Sequence, residues 1–352
     1  MHSVTSLTLT KTVADTMLDW VRGRGKIIII VHDNPDPDCL ASAFALRHLF
    51  LMKLNKDAVI AFSGIIARSE NIAMAKELEI VLTPLELLCL KDFQVVCMLD
   101  TQPGTGNNSF PPKARVDIVI DHHPLKERSK ECRWVDIREG YGATATILYE
   151  YLISQEVTIG TKLATALFYA IKSETQDLGR EANHPDRDAY LRLFPLTNKK
   201  LLYEITHPKL SIDYFMSLNT ALEHTNVYDS ILIANLWHVA FPEIVAEMAD
   251  LLLRLEGVEI VLCMGHYAGE MIFSTRTVRH DLNMGDTVKR LVAGHGTAGG
   301  HGMMAGGKVD NVSSARADII KSEELLTERF LCEFGKERIS PRNLIHPSGR
   351  AG

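Results

Sequence analysis

"KIIIIVHDNPDPDCL", residues 26–40, decides how the N-terminal half of the chain is read. Four consecutive isoleucines suit a strand buried on both faces. The stretch then sets His32 and three aspartates, Asp33, Asp36 and Asp38, at the end of that strand. Like charges crowded at a strand end repel one another, so folding alone gives no reason for them. Positive charge is expected there.

The same grammar continues outward. "DAVIAFSG" (57–64), "FQVVCMLD" (93–100), "VDIVIDHH" (116–123) and "CRWVDI" (132–137) read as further strands. Helical patterns lie in "CLASAFALRHLFLMK" (39–53) and "SENIAMAKELEI" (69–80). Strands alternating with helices imply a parallel sheet covered on both faces. Helices then take over in "GATATILYEYLIS" (142–154), "TKLATALFYAIKSET" (161–175) and a stretch from 186 to 224 punctuated by prolines. A second α/β pattern begins near Asp229, with strands in 230–237, 258–266 and 269–277 and a helix over 242–257. A last helix in 313–334 is expected to be capped by Ser313 or Ser314. The expected fold class is α/β, with an N-terminal parallel-sheet domain over 1–190 and a helical connection over 191–227. A smaller C-terminal α/β domain follows over 228–335 and a tail over 336–352, with the active site in a cleft between the domains.

Composition bounds the function. At 352 residues the chain suits two domains, and 46% hydrophobic with 23% charged residues is the range of globular proteins. A net charge of −6 argues against a broad, non-specific hold on duplex DNA. Six scattered cysteines with no CxxC pair read as thiols of a reducing compartment. No apolar run reaches the roughly 18 residues of a membrane span, and no signal-like segment opens the chain. The expected location is the cytoplasm.

The chemistry collects at strand ends, where an open parallel sheet delivers side chains to one crevice. Four segments contribute there: "HDNPDPD", "LD" at 99–100, "DHHP" at 121–124, and the end of the helix holding "KSETQD". They supply His32, Asp36, Asp38, Asp100, Asp121, His122, His123 and Glu174. Oxygen and imidazole donors in that mixture suit Mn²⁺ or Mg²⁺ better than structural zinc. A single aspartate after a strand is ordinarily a helix cap, and Asp38 alone would read so. Three strand ends finishing in acid, or acid plus histidine, are more than capping explains.

These motifs, HxxxDxD as "HDNPDPD", "VCMLD", "DHHP" and a later glycine-histidine segment, resemble the DHH phosphoesterase family. The likeness is to the branch with a DHH-associated C-terminal domain, which includes nanoRNases that also act on 3′-phosphoadenosine 5′-phosphate. It runs from about residue 20 to 330. The resemblance implies two divalent cations, Mn²⁺ preferred and Mg²⁺ admitted. One would lie on His32, Asp36 and Asp100. The second would lie on Asp38, Asp100, His122 and the acid of the fourth motif, with Asp100 bridging. That acid is aspartate in the family and Glu174 here, with Asp177 or water as the other candidates. His123 would face the phosphate, and Asp121 would orient a histidine ring. Asp100, His122 and His123 would form the catalytic set.

"GHGTAGGHGMMAGG" (294–307) is neither a dinucleotide fingerprint nor a P-loop. Its composition is that of a flexible surface loop, and its histidines favour a loop that contacts phosphate. It resembles the family's GGGHxxAAG motif at Gly299, Gly300, His301, Ala305 and Gly306, and Arg276 in "FSTRT" matches the family's phosphate-holding arginine. The alternative for Arg276 is an exposed strand residue. Together these imply a manganese-dependent phosphoesterase of oligoribonuclease or exonuclease type. It would cut short single-stranded oligonucleotides, dinucleotides or nucleoside bisphosphates with a metal-bridged water. Neither duplex DNA nor a membrane is an expected partner, and a homodimer is compatible. The alternatives are an inorganic pyrophosphatase or exopolyphosphatase, and a non-catalytic nucleotide-binding sensor.

Overall fold

The four isoleucines form strand β1 (Lys26–Ile30), and the computed structural model shows why all four are apolar. Ile27 and Ile29 enter one hydrophobic core, while Ile28 and Ile30 enter another on the opposite face. The structure describes residues 2–345 except Ala67 and Glu181, with residues 2–6 and His301 described by backbone alone. The chain divides into two compact units, residues 1–208 and 209–352.

The first unit contains α1 (His2–Arg22), β1, α2 (Pro37–Leu54), β2 (Ala58–Phe62), α3 (Ser69–Glu77), β3 (Thr83–Pro84) and β4 (Phe93–Leu99). It continues with β5 (Ile118–Asp121), β6 (Trp134–Ile137), α4 (Thr144–Ser154), α5 (Thr161–Glu174), α6 (His184–Leu193) and α7 (Lys199–Thr206). The six strands form one sheet in the order β3-β2-β1-β4-β5-β6, paired in parallel throughout. Chain order reverses between β1 and β4, so their carboxyl ends open a crevice at the switch point.

The two faces are covered differently. Helices α1, α2, α4 and α5 bury one face. The other packs on Leu85, Phe110 and Val116, which come from connecting segments. The regular alternation expected from sequence therefore fails after β4, where residues 100–117 cross to β5 without a helix. Helix α1 was not anticipated, although Ala14, Met17, Leu18 and Val21 recur at helical spacing and are buried. The helices expected as a connection over 191–227 are shared out, α7 falling in the first unit and the next helix in the second.

The second unit contains α8 (Ile212–Glu223), β7 (Thr225–Tyr228), β8 (Ile231–His238), α9 (Glu243–Leu252), β9 (Ile260–Tyr267) and β10 (Glu270–Thr277). After these come α10 (Met284–Leu291), β11 (Gly296–His301), β12 (Met304–Val309), α11 (Arg316–Glu333) and β13 (Arg342–Asn343). Its sheet runs β11-β12-β10-β9-β8-β7-β13, with β8 and β9 parallel around α9 and the other pairs antiparallel. Alternation along β9 sends Ile260, Leu262 and Met264 to a core with α10 and α11, and Val261 and Cys263 to one with α9. Helix α11 starts after Ala315, not Ser313 or Ser314; the Ser313 hydroxyl instead accepts the Ala315 N–H at 3.1 Å. Among the described residues, no helix is long and apolar enough to cross a membrane.

The glycine-rich segment is a correction. It is not a loop but the β11–β12 hairpin at one edge of the sheet. The reason is steric: a Cβ at Gly300 would stand 2.5 Å from Ala305 Cα, and the residue holds φ at +145°. At Gly299 a Cβ meets nothing within 4 Å. Gly300→Ala should therefore destabilise the second unit by about 1–3 kcal/mol, and Gly299→Ala should stay within about 0.5 kcal/mol of wild type. Urea denaturation of the two variants checks this; equal midpoints would contradict it.

Candidate metal centre

The crevice is built from the ends of β1, β4 and β5. Asp36 is the N-cap of α2 and accepts the Cys39 N–H at 3.0 Å, with Pro37 at the first helical position. The cap is thus Asp36, not Asp38, because Pro37 moves Asp38 into the first turn. Capping and site duty coincide in Asp36, which also lies 3.4 Å from His32 Nε2. Asp100, just past β4, sits in the left-handed region with φ 57°. Aspartate is among the few side chains that tolerate this.

The tautomers of two histidines follow from their neighbours. His32 Nδ1 lies 2.9 Å from the Asp33 carbonyl, and His122 Nδ1 lies 3.1 Å from the Tyr141 carbonyl. A carbonyl only accepts, so each Nδ1 carries the proton and donates. Each Nε2 in a neutral ring is then a lone pair. His32 Nε2 faces Asp36 at 3.4 Å and Asp100 at 3.6 Å. His122 Nε2 faces Asp100 at 3.6 Å and Asp38 at 3.9 Å, and among the described residues it is buried with no hydrogen-bond partner. A lone pair aimed at carboxylates is repelled, so each Nε2 here is met either by a proton or by a bound cation.

Protonation shows the same demand. Burial opposes a charged His32, but Cys39, Asp36 and Asp100 outweigh it and raise its pKa well above the ordinary value. Burial, together with Asp100, Glu174 and Asp36, pushes the Asp38 carboxyl well above the usual range. It does so although Thr144 and Ala145 at the start of α4 donate their N–H groups to Asp38, each at 2.7 Å. Burial and the Asp36 charge likewise drive Glu174 up to about 7. The cluster has more negative charge than its own groups relieve. Its donor sets, His32 with Asp36 and Cys39, and Asp100 with His122 and His123, are compact enough to hold metal ions. Oxygen and imidazole donors fit a hard or borderline divalent ion.

The remaining residues stand around this centre. His123 Nδ1 donates to Asp121 Oδ1 at 2.9 Å and lies 3.7 Å from Asp100. Burial opposes its charge, but Asp121 and Asp100 prevail and raise it to about 9. The other Asp121 oxygen accepts from Gln102 Nε2 at 2.8 Å. Gln102 is oriented by the Lys126 N–H and the Ser129 hydroxyl, both donating to its Oε1. Glu174 ends α5, with Arg180 3.9 Å away. Between them Gln176, Asp177 and Leu178 all take positive φ, a left-handed turn with no glycine to betray it in the sequence. Asp177 is engaged by Lys172 and by the Tyr190 hydroxyl, so it is a poor alternative to Glu174.

Sequence reasoning missed Cys39, Thr144, Gln102 and Arg180, whose residue types carry no metal-site signal at those spacings. In the second unit, Arg276 lies in β10 and is 9% exposed, which excludes the exposed-strand alternative. It donates to Asp250 at 2.5 Å and to the Ser274 hydroxyl at 2.7 Å. Gly299 and Gly300 lie in β11 opposite Gly306 and Ala305. The side chain of His301 lies outside the described residues.

A parallel-sheet unit with an acid-histidine crevice, followed by a mixed-sheet unit, defines a two-domain α/β protein with a candidate metal centre in its first unit. Residues 26–171 match the N-terminal domain of the DHH family, and residues 229–327 match the DHHA1 domain. The chain belongs to the DHH family, in the branch that carries a DHHA1 domain. It is 32% identical over 287 residues to an uncharacterized protein of Methanocaldococcus jannaschii, an alignment covering 81% of this chain and 58% of that protein. The chain therefore spans little more than half the length of that relative. An exopolyphosphatase-related protein from Bacteroides fragilis shares the fold with a TM-score of 0.65 at 16% identity, covering 92% of this chain and 98% of the other. The DHH domain of a member of a ribosomal-protein family superposes with a TM-score of 0.55 at 14% identity, covering 94% of this chain and 92% of the other.

Asp100→Asn tests the charge argument directly, since asparagine keeps the left-handed backbone and an acceptor for the Thr144 hydroxyl, 2.9 Å away. Without metal, relief worth about 1 kcal/mol should raise the melting temperature by about 2–4 °C. Added Mn²⁺ should stabilise wild type and not the variant. A variant stabilised by Mn²⁺ as wild type is would contradict this centre.

Proposed function

We propose that this protein is a two-metal phosphoesterase, Mn²⁺ preferred, acting on short single-stranded oligonucleotides, dinucleotides or nucleoside bisphosphates. The observation that carries the reading is the pair of Nε2 atoms of His32 and His122, both facing the carboxylates of Asp36, Asp38 and Asp100 at 3.4 to 3.9 Å. Divalent cations on these groups and Glu174 would activate a water and neutralise phosphoryl oxygens as charge builds on them. His123, charged at neutral pH and held by Asp121, would donate to a phosphoryl oxygen beside them. Nothing here asks for a protein nucleophile.

In the second unit, Arg276 and the β11–β12 hairpin, with His301, would hold a phosphate of the nucleotide. Arg276 donates from Nε to Asp250 and from Nη1 to the Ser274 hydroxyl and the Thr275 carbonyl, so a phosphate would share the guanidinium with Asp250. The hairpin supports an anion contact because Gly299 leaves its backbone open, with nothing within 4 Å of where a Cβ would stand. A substrate panel with Mn²⁺, spanning di- to pentaribonucleotides, a nucleoside 3′,5′-bisphosphate, pyrophosphate and polyphosphate, tests the reading. Turnover of the nucleotides is expected; turnover of pyrophosphate or polyphosphate alone would replace it with the exopolyphosphatase alternative. Binding of nucleotide without turnover would replace it with the sensor.

Two variants sharpen the assignment. Arg276→Gln should raise KM on nucleotides about tenfold and change an aryl phosphodiester much less, because that substrate reaches only the metals. Glu174→Ala should weaken binding of one Mn²⁺ by about 10–100-fold, the usual effect of losing a partner of a metal site. An unchanged Mn²⁺ titration in Glu174→Ala would remove Glu174 from the metal shell.

A further inference from the structure

One short loop holds three of the proposed metal ligands. It joins β6 to α4 over residues 138–143. Its Tyr141 carbonyl accepts from His122 Nδ1 at 3.1 Å and so fixes that ring's tautomer. Immediately after it, the Thr144 and Ala145 N–H groups reach the two oxygens of Asp38 at 2.7 Å each, and the Thr144 hydroxyl donates to Asp100 at 2.9 Å. Three of these four contacts are made by backbone groups, two N–H and one carbonyl. No choice of side chain secures those three; only the path of the loop does.

That path is pinned from the far side by the start of α6. Asp186 Oδ2 accepts the Gly142 N–H at 2.8 Å and the Asn183 N–H at 2.9 Å, and Oδ1 accepts the Thr146 hydroxyl at 2.6 Å. Asn183 Nδ2 donates to the Gly140 carbonyl at 2.7 Å. Asp186 is fully buried, and no ion pair to it occurs among the described residues. Burying an unpaired carboxylate is unfavourable unless hydrogen bonds hold it. Asp186 is the N3 residue of a capping box with Asn183, and its contact with the Asn183 N–H serves that cap. Its other two contacts go beyond the cap and tie the loop to α4, through Gly142 on one side and Thr146 on the other.

We propose that Asp186, supported by Asn183, is a positioning residue of the metal centre. It holds the loop so that Tyr141 sets the His122 tautomer and the α4 N-terminus presents its N–H groups to Asp38. Asp186 touches neither metal nor substrate; it acts through the backbone. This rests on the two-metal reading above. The 2.7 Å contacts leave little slack, because a shift of about 1 Å takes an N–H···O contact out of hydrogen-bonding range.

The test compares Asp186→Ala, Asp186→Asn and Asn183→Ala in the full chain. The measurements are the affinity for Mn²⁺ alone, the melting temperature without metal, and the ¹⁵N shifts of the His122 ring. Asp186→Ala should weaken Mn²⁺ binding about 10–100-fold and mix the His122 tautomers. Asp186→Asn should restore most of the affinity: its amide oxygen can keep both N–H donors while its NH₂ donates to the Thr146 oxygen. Asn183→Ala, which frees the Gly140 carbonyl, should fall between them and decides the matter if Asp186→Ala does not fold. A lower melting temperature with wild-type Mn²⁺ affinity and an unchanged His122 tautomer in the folded variants would overturn the proposal. Failure of wild type itself to bind Mn²⁺ would count against the metal reading instead, and the His122 shifts would still judge the role of Asp186.

Discussion

Two imidazole Nε2 atoms pointed at carboxylates less than 4 Å away set the terms for the first unit. The backbone carbonyls of Asp33 and Tyr141 hold the rings this way round by taking the Nδ1 protons. Turning either ring over would leave the Asp33 or Tyr141 carbonyl without its donor, at roughly 1–3 kcal/mol. The fold therefore maintains a place where a cation is wanted. The parallel sheet contributes by bringing three strand ends together at its switch point, and α4 contributes by aiming its first N–H groups at Asp38.

Much of this was legible in the chain. Four isoleucines read as a strand buried on both faces, and the acids after it as residues that call for positive charge. The strand ends carrying Asp100 and His122 followed from the same reasoning, and the family motifs ordered them. What was not legible lay in backbone conformation. Whether Asp36 or Asp38 caps α2 depends on where Pro37 falls in the first turn. The left-handed turn at Gln176–Leu178 uses no glycine, and the loop that orients His122 works through main-chain groups.

The glycine-rich segment shows the opposite failure. Composition suggested freedom, whereas several of these glycines are there for close approach. A Cβ at Gly296 would lie 1.9 Å from the Lys308 carbonyl oxygen, and one at Gly307 would lie 2.4 Å from that of Thr297. Two strands packed this closely need residues without side chains, so the segment is ordered because of its glycines. Helix α1, by contrast, is legible in the apolar spacing of Ala14, Met17, Leu18 and Val21, all of them buried.

The demand for positive charge between His32, His122 and the three aspartates is the point on which the proposed chemistry stands. Calorimetric titration of metal-free wild-type protein with Mn²⁺ measures it most directly. Saturable binding of two ions per chain, accompanied by a rise in melting temperature, is the expected result. Absence of saturable binding at millimolar Mn²⁺, with the melting temperature unmoved, would contradict it.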